Sequence, residues 1–201
     1  MIGVILAAGM AKRLRPLTDT KPKCLLEVGG KTLLQRTVDA MLSANIREFV
    51  VVTGYRAEMI RDFLASHYQD LSIRFIDNPD YAHNNNIFSL WLAMEQLHGQ
   101  EVLLMDSDIL CDPEAVRRVA AQECSALAMQ RHELGEEEMK VVTDEKGCIK
   151  EISKTCNSSD AAGESLGIEK MGVAYTKALY KELEPMMNEE HLENVFYERA
   201  F

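Results

Sequence analysis

Two periods of apolar residues alternate along this chain. Ile2 to Ala8 is an unbroken apolar run of strand length that stops at Gly9. Leu33, Leu34, Thr37, Val38, Met41 and Leu42 then recur at helical spacing, and Phe49 to Val52 is a second short run closed by Thr53 and Gly54. Met59, Ile60, Phe63 and Leu64 mark another helix, followed by a strand at Ile73 to Ile76. After a polar, turn-rich stretch, Ile87, Leu90, Trp91, Met94 and Leu97 share a helical face that buries Trp91 in the core, and Glu101 to Met105 reads as a strand. This βαβαβ order predicts an α/β fold: a Rossmann-like mixed, mainly parallel sheet with helices on both faces. In such sheets ligands sit at the carboxyl ends of the strands, where the Gly9 loop lies.

The later residues show shorter units. Asp112 and Pro113 carry the N-cap and N1 signals of a helix. Ala126 to Gln130 is a strand, and Lys140 to Thr143 and Cys148 to Ser153 alternate around Asp144 to Gly147 as a small hairpin. Asn157 to Gly163 is polar. A strand is expected around Met171 to Tyr175, an amphipathic helix over Lys177 to Met187, and a further helical pattern from Leu192 to Phe201.

Composition narrows the class. At 201 residues, 47% hydrophobic and 27% charged, the chain fits one domain over residues 1–201 with a sizeable core. A net charge of −10 argues against nucleic acid or an anionic membrane as partner. No apolar run has the length of a membrane span, and the N-terminus has no signal-peptide layout, so a cytoplasmic location is expected. The five cysteines are odd in number and lack CxxC spacing, which fits reduced thiols rather than a disulfide frame or zinc site.

Against that acidic background, Lys12, Arg13, Arg15, Lys21 and Lys23 crowd the loop after Gly9. Backbone N–H groups of such a loop can lie against phosphate oxygens, and arginine adds a planar fork of donors. Neither GxxxxGK[ST] nor GxGxxG is present, so this is a polyphosphate loop of another kind, or a turn with solvated cations. Asp106-Ser107-Asp108 comes directly after a strand, the place where carboxylates can hold a hard Mg²⁺ ion against phosphate; either could also simply cap the next turn. Asn84, Asn85 and Asn86 offer paired donors and acceptors suited to a nucleobase edge, or form a loop and N-cap. The remaining candidates have plain readings too: the acidic run around Glu136 to Glu138 is a solvated loop edge, and the histidines lack metal-ligand spacing.

The order of residues Leu6, Ala7, Ala8, Gly9, Arg13, Leu14, Pro16, Thr18, Pro22 and Lys23 resembles the LAAG-x-x-x-RL-x-P-x-T-x-x-x-PK signature of the nucleotidyltransferases that activate sugar phosphates and phosphocholine with NTP. Asn85, Asn86, Ser89 and Leu90 resemble the base-binding NNxxSL segment of CTP-using members. Gly163-Glu164-x-x-Gly167-Ile168 resembles the GExxGI pattern of the phosphocholine and 2-aminoethylphosphonate cytidylyltransferases. The resemblance implies a nucleotide half at 1–125 and an acceptor half at 126–201. It implies nucleotide contacts at Leu6, Ala7, Ala8, Gly9, Met10, Ala11, Asn78, Asn85, Asn86, Ser89 and Asp106. Asp108 would be the metal ligand, with Mg²⁺ as cofactor. Arg13, Lys23 and Lys154 would neutralise charge in catalysis. Lys154, Glu164, Tyr197 and Glu198 would meet the acceptor, with Glu198 at the acceptor's ammonium.

Two departures stand out. Ala11 replaces the family's second glycine, restricting positive φ in the loop. The family's later E-x-D pair on a further strand is not within these residues, so a chain truncated at Phe201 is expected. The expected reaction is transfer of CMP from CTP to a phosphocholine-like or aminoalkylphosphonate acceptor with release of pyrophosphate. The alternatives are a sugar-1-phosphate nucleotidyltransferase using another NTP, and a catalytically silent nucleotide-binding or regulatory module. Monomer and homodimer both stay open.

Overall fold

The computed structural model describes residues 1–201. Its first strand, β1 (Ile2–Ala7), is buried along its whole length. β2 (Glu27–Val28) and β3 (Lys31–Thr32) form a small separate hairpin. α1 (Leu33–Ser43) starts where the Thr32 hydroxyl accepts the Gln35 N–H at 3.0 Å, the usual chemistry of an N-cap. β4 (Glu48–Thr53), α2 (Ala57–His67), β5 (Ser72–Asp77), α3 (Asn86–Leu97) and β6 (Val102–Asp106) continue the alternation read from the sequence. α4 (Pro113–Ala120) opens at the expected cap, with the Asp112 carboxylate accepting the Glu114 N–H at 2.9 Å.

β5, β4, β1 and β6 lie side by side and all parallel. Alternate side chains feed two cores. Val4, Leu6, Val50, Val52 and Leu104 pack on one face with α3, while Ile5, Phe49, Val51, Leu103 and Met105 pack on the other with α1, α2 and α4. A sheet covered on both faces explains why its strands read as continuous apolar runs. The chain first builds outward from β1 through β4 to β5, then crosses back to place β6 on the other side of β1. The carboxyl ends of β1 and β6 therefore meet at the point where the winding reverses, which opens a crevice between them.

The other four strands extend the sheet in antiparallel fashion. β7 (Ala126–Gln130), β8 (Lys140–Thr143), β9 (Ile149–Ser153) and β10 (Gly163–Met171) give one eight-stranded sheet, in which β10 pairs with β6, β7 and β8, and β9 pairs only with β8. The Lys170 ammonium, nearly buried, sits 3.1 Å from Glu101 and bonds the carbonyls of Ala120 and Gln122 at the end of α4, where a cation suits the helix dipole.

The last elements differ from expectation. The strand expected around Met171 to Tyr175 is instead β10, which takes in the whole GExxGI pattern, and Val173 already begins α5 (Val173–Asn188). Gly167 is not a turn at the end of a strand: at φ 66° it sits inside β10, where the register shifts between Ser165 and Glu169 as in a bulge. The helix expected from Leu192 to Phe201 is also absent. That segment runs irregularly, with Phe196 extended, and closes in a single 3-10 turn at Tyr197–Ala200. Its apolar residues reach the core without helical backbone, because α3 and α5 already supply the surface they cover.

Candidate active site

The loop after β1 is built around one strained residue. Ala11 adopts φ 47° and ψ 50°, the left-handed region that glycine enters without penalty and alanine at about 1 kcal/mol. Its carbonyl accepts the Leu14 N–H and the buried Thr18 hydroxyl, each at 3.0 Å, so the turn is tied at both ends. From the facing side the Tyr55 hydroxyl reaches the carbonyls of Thr18 and Asp19 at 2.8 Å, and Arg56 donates to Asp19 at 2.7 Å.

Between this loop and the end of β6 lies a cavity of about 570 Å³. Leu6, Ala7, Ala8 and Gly9 form its floor, with Ala11 and Arg13 above them. Lys23 approaches from a second 3-10 turn (Lys23–Leu25), and Asp106 and Asp108 stand at the end of β6. Asn78, Asn85, Asn86 and Ser89 close the far wall. All the residues expected to hold nucleotide therefore converge except Met10, which does not line the cavity although its neighbours Gly9 and Ala11 do.

Two of the charges here are already partnered. Lys23 and Asp108 form a direct ion pair, and both side chains are partly exposed to the cavity. Burial pushes the Asp106 carboxyl up to about 8, helped by the negative charges of Asp108 and Glu198 and opposed by Lys23. Burial likewise pushes the Cys24 thiol up to about 12, so this cavity-lining cysteine is an inert thiol; all five cysteines are free. No group of three or more His, Cys, Asp or Glu side chains converges as a preformed metal cage. The oxygen donors present nevertheless suit Mg²⁺, which takes one or two carboxylates and completes its shell with water and phosphate oxygens.

The asparagines divide their work. Asn78 and Asn84 exchange two amide hydrogen bonds at 2.9 and 3.0 Å, and Asn78 also donates to the Ser89 hydroxyl at 3.1 Å, so the amide of Asn78 is spent on holding the wall. Asn85 is the N-cap of α3: its side-chain oxygen accepts the Asn86 N–H at 2.8 Å. Asn86 turns its own oxygen to the Tyr197 N–H at 3.0 Å. The amino groups of Asn85 and Asn86 donate to no protein acceptor, and these remain for a ligand.

A second cavity, about 490 Å³, opens between β9 and the C-terminal segment. Lys154 and Thr155 face Phe196, Glu198 and Arg199 across it. The Lys154 ammonium lies 3.1 Å from Glu137 and 5.0 Å from the centre of the Phe196 ring. Its backbone is held from below by Lys140, which is 2% exposed and donates to the Lys154 carbonyl at 2.7 Å. Burial pushes the Glu198 carboxyl up to about 7, against a backbone hydrogen bond and Lys154, and its Oε2 has no partner. Glu169, in β10, is raised well above the usual carboxylate range by burial and by Asp106 and Glu198.

Lys154 and Glu198, both expected at the acceptor, thus share this second cavity. Tyr197 and Glu164 do not line it. Tyr197 is fully buried, its ring against Phe201 and its hydroxyl 3.2 Å from Glu169. The family resemblance placed Tyr197 beside Glu198 at the acceptor, but in the 3-10 turn Tyr197 is buried while Glu198 lines the cavity. Glu164 pairs with His132 at 2.8 Å and lines neither cavity. Two contributors escaped the sequence reading: Tyr81 lines the first cavity, and Lys140 underpins Lys154, while Asn84, read with its two neighbours as a base-edge amide, lines the first cavity as well. Tyr81 comes close because Gly54 has no side chain: a Cβ there would stand 2.7 Å from the Tyr81 Cβ and 2.9 Å from the Ala8 carbonyl.

Known proteins resemble this chain in sequence and in fold. The profile of the MobA-like NTP transferase domain matches residues 3–199. CMP-5'-(3-aminopropyl)phosphonate synthase of Streptomyces rubellomurinus is 35% identical over 129 residues, 64% of this chain and 20% of that protein. Choline-phosphate cytidylyltransferase of Streptococcus pneumoniae is 35% identical over 107 residues, 53% of this chain and 45% of that protein. The chain thus spans less than half the length of these curated relatives. A solved structure of CTP:phosphocholine cytidylyltransferase from Streptococcus pneumoniae superposes with a TM-score of 0.78 at 22% identity, over 99% of this chain and 83% of that one, a likeness of fold.

Proposed function

Because the chain belongs to the family of MobA-like NTP transferase domains, we propose that it is a Mg²⁺-dependent cytidylyltransferase that transfers CMP from CTP to a phosphocholine-like or aminoalkylphosphonate acceptor. The observation that carries this reading is the meeting of Arg13, Lys23 and Asp108 in the crevice between β1 and β6, with Lys154 and Glu198 in a second cavity alongside. The named activities of the two relatives, a CMP-5'-(3-aminopropyl)phosphonate synthase and a choline-phosphate cytidylyltransferase, support the choice of nucleotide and acceptor.

In this reading the triphosphate lies across the loop from Gly9 to Arg13, and the base lies toward Asn85, Asn86 and Ser89. An oxygen of the acceptor's phosphate or phosphonate forms a bond to the α-phosphorus as the bond from that phosphorus to the bridging oxygen breaks, and pyrophosphate leaves. Two anions must approach one another, so the chain's task is positioning and charge neutralisation. Arg13 and Lys23 serve the triphosphate, with Lys23 exchanging its carboxylate partner for a phosphate oxygen. Lys154 serves the acceptor's anion, and Glu198, opposite it, the acceptor's amine. Mg²⁺, held by Asp108 with Asp106 beside it, supplies further positive charge at the phosphate oxygens when bound.

The test is pyrophosphate release with Mg²⁺ and CTP, comparing phosphocholine, 2-aminoethylphosphonate and glucose 1-phosphate. Turnover with an amine-bearing acceptor is expected. Turnover only with the sugar phosphate and another NTP would replace the base and acceptor assignments, and silence with every pair would favour a non-catalytic binding module.

A further inference from the structure

Two bonds cross from the first cavity to the segment that forms the second. The Asn85 N–H donates to the Glu193 carbonyl at 2.8 Å, and the Asn86 side-chain oxygen accepts the Tyr197 N–H at 3.0 Å. Both asparagines belong to the wall of the nucleotide cavity, while Tyr197 immediately precedes Glu198 of the second cavity. Apart from its packing, the turn at Tyr197–Ala200 has few other anchors: the Tyr197 hydroxyl to Glu169, and bonds internal to the turn. Phe196, extended, caps that turn from within the same segment, its carbonyl accepting the Arg199 N–H at 3.1 Å.

We propose that Asn86 is a positioning residue for the acceptor cavity: its amide oxygen fixes the Tyr197–Glu198 turn, while its amino group, which has no protein partner, is left for a ligand of the first cavity. This inference rests on the proposed function for its kinetic consequence, but not for the tether itself. The chemistry is specific. The Tyr197 backbone N–H lies in a buried residue and has no other acceptor, so losing the Asn86 oxygen leaves an unsatisfied donor and loosens the turn. Glu198 and Phe196, which flank that N–H, then lose their fixed distance to Lys154 across the cavity. A ligand against the amino edge of Asn86 and an acceptor against Glu198 are thereby joined through a single side chain, without any direct contact between them.

The experiment uses Asn86→Ala and Asn86→Asp, the second of which keeps an oxygen for the Tyr197 N–H. Backbone amide exchange in the ligand-free protein should quicken about tenfold at 197–201 in Asn86→Ala and return toward wild type in Asn86→Asp. In turnover, Asn86→Ala should raise KM for the acceptor about tenfold, and Asn86→Asp, which keeps the oxygen and removes the amino group, should bring that KM back toward wild type whatever either variant does to KM for CTP. Unchanged exchange at 197–201 overturns the proposal, as does a rise confined to KM for CTP, which would make Asn86 a reader of the base. If wild type releases no pyrophosphate with any acceptor, the proposed function fails while the exchange result still decides the tether.

Discussion

The two cavities are held in place by different means. The walls of the first come from β1, β6 and the start of α3, elements that enter two packed cores and share parallel neighbours residue by residue. The second is made from β9, which pairs with one strand only, and from a segment without regular structure. There the geometry depends on individual side-chain bonds: Lys140 to the Lys154 carbonyl, Lys154 to Glu137, and Asn86 to the Tyr197 N–H. The first cavity is thus positioned by the sheet, and the second by a few polar contacts. A substitution of one polar group should therefore disturb the second cavity without disturbing the fold, and on the proposed function it should show in acceptor recognition, whereas the first cavity should respond mainly to changes in the groups that meet its ligand.

The largest effect that sharpens this contrast is expected at Asp108. Asp108→Asn should cut turnover by about a hundred- to thousandfold in a pyrophosphate-release assay, while the urea midpoint stays near wild type because the side chain lies at the cavity and not in a core. Lys140→Met should come next: it keeps the apolar stem and removes the bond to the Lys154 carbonyl. KM for the acceptor should rise about tenfold with KM for CTP unchanged, and equal rises in both would erase the distinction between the two sides.

A third effect is on stability. The Glu198 carboxyl is raised in the folded chain to about 7, so between the ordinary carboxylate value of about 4.3 and about 7 the native state binds more protons than the unfolded state. Stability should fall across that window as pH rises, and Glu198→Gln should flatten the slope in urea titrations at about pH 5 and about pH 7.5. A slope unchanged by the substitution would show that Glu198 is not the group responsible. The smallest effect is expected in the first cavity's loop. Ala11→Gly, at φ 47°, should raise the urea midpoint by the equivalent of about 1 kcal/mol or less, since relief of the left-handed strain is partly offset by glycine's freedom in the unfolded chain.

The central sheet was legible in the sequence because its strands are buried on both faces and read as plain apolar runs with helices between them. The strand at Ile2 to Ala8, the helix face from Leu33 to Leu42 and the cap at Asp112 all appear where their residues point. The C-terminal third was less legible for physical reasons. β10 contains two glycines that look like turns, because a bulge inside a strand and a turn at its end call for the same residue. Leu192, Phe196 and Tyr197 fit a helical stripe, but irregular backbone can deliver the same side chains to a core. In the site, the charged residues announced themselves, whereas the asparagines did not reveal which of their edges face a ligand and which face the protein. Lys140 left no mark at all, since a lysine in a short alternating strand reads as solvated, and only the fold turns it inward against a carbonyl.

β10 also has a bearing on how the molecule comes into being. β5, β4, β1 and β6 are complete once residue 106 is made, and they can zip together from neighbouring stretches of chain. The hairpin of β8 and β9 has no partner in that set, and β7 has none either; each reaches the sheet only through β10. Until residues 163–171 emerge, the open edge of β6 stays bare and three strands wait unmoored. Assembly of the second half is therefore gated by one late segment, and a lesion in β10 would be felt less as a local defect than as a failure of those three strands to join the sheet.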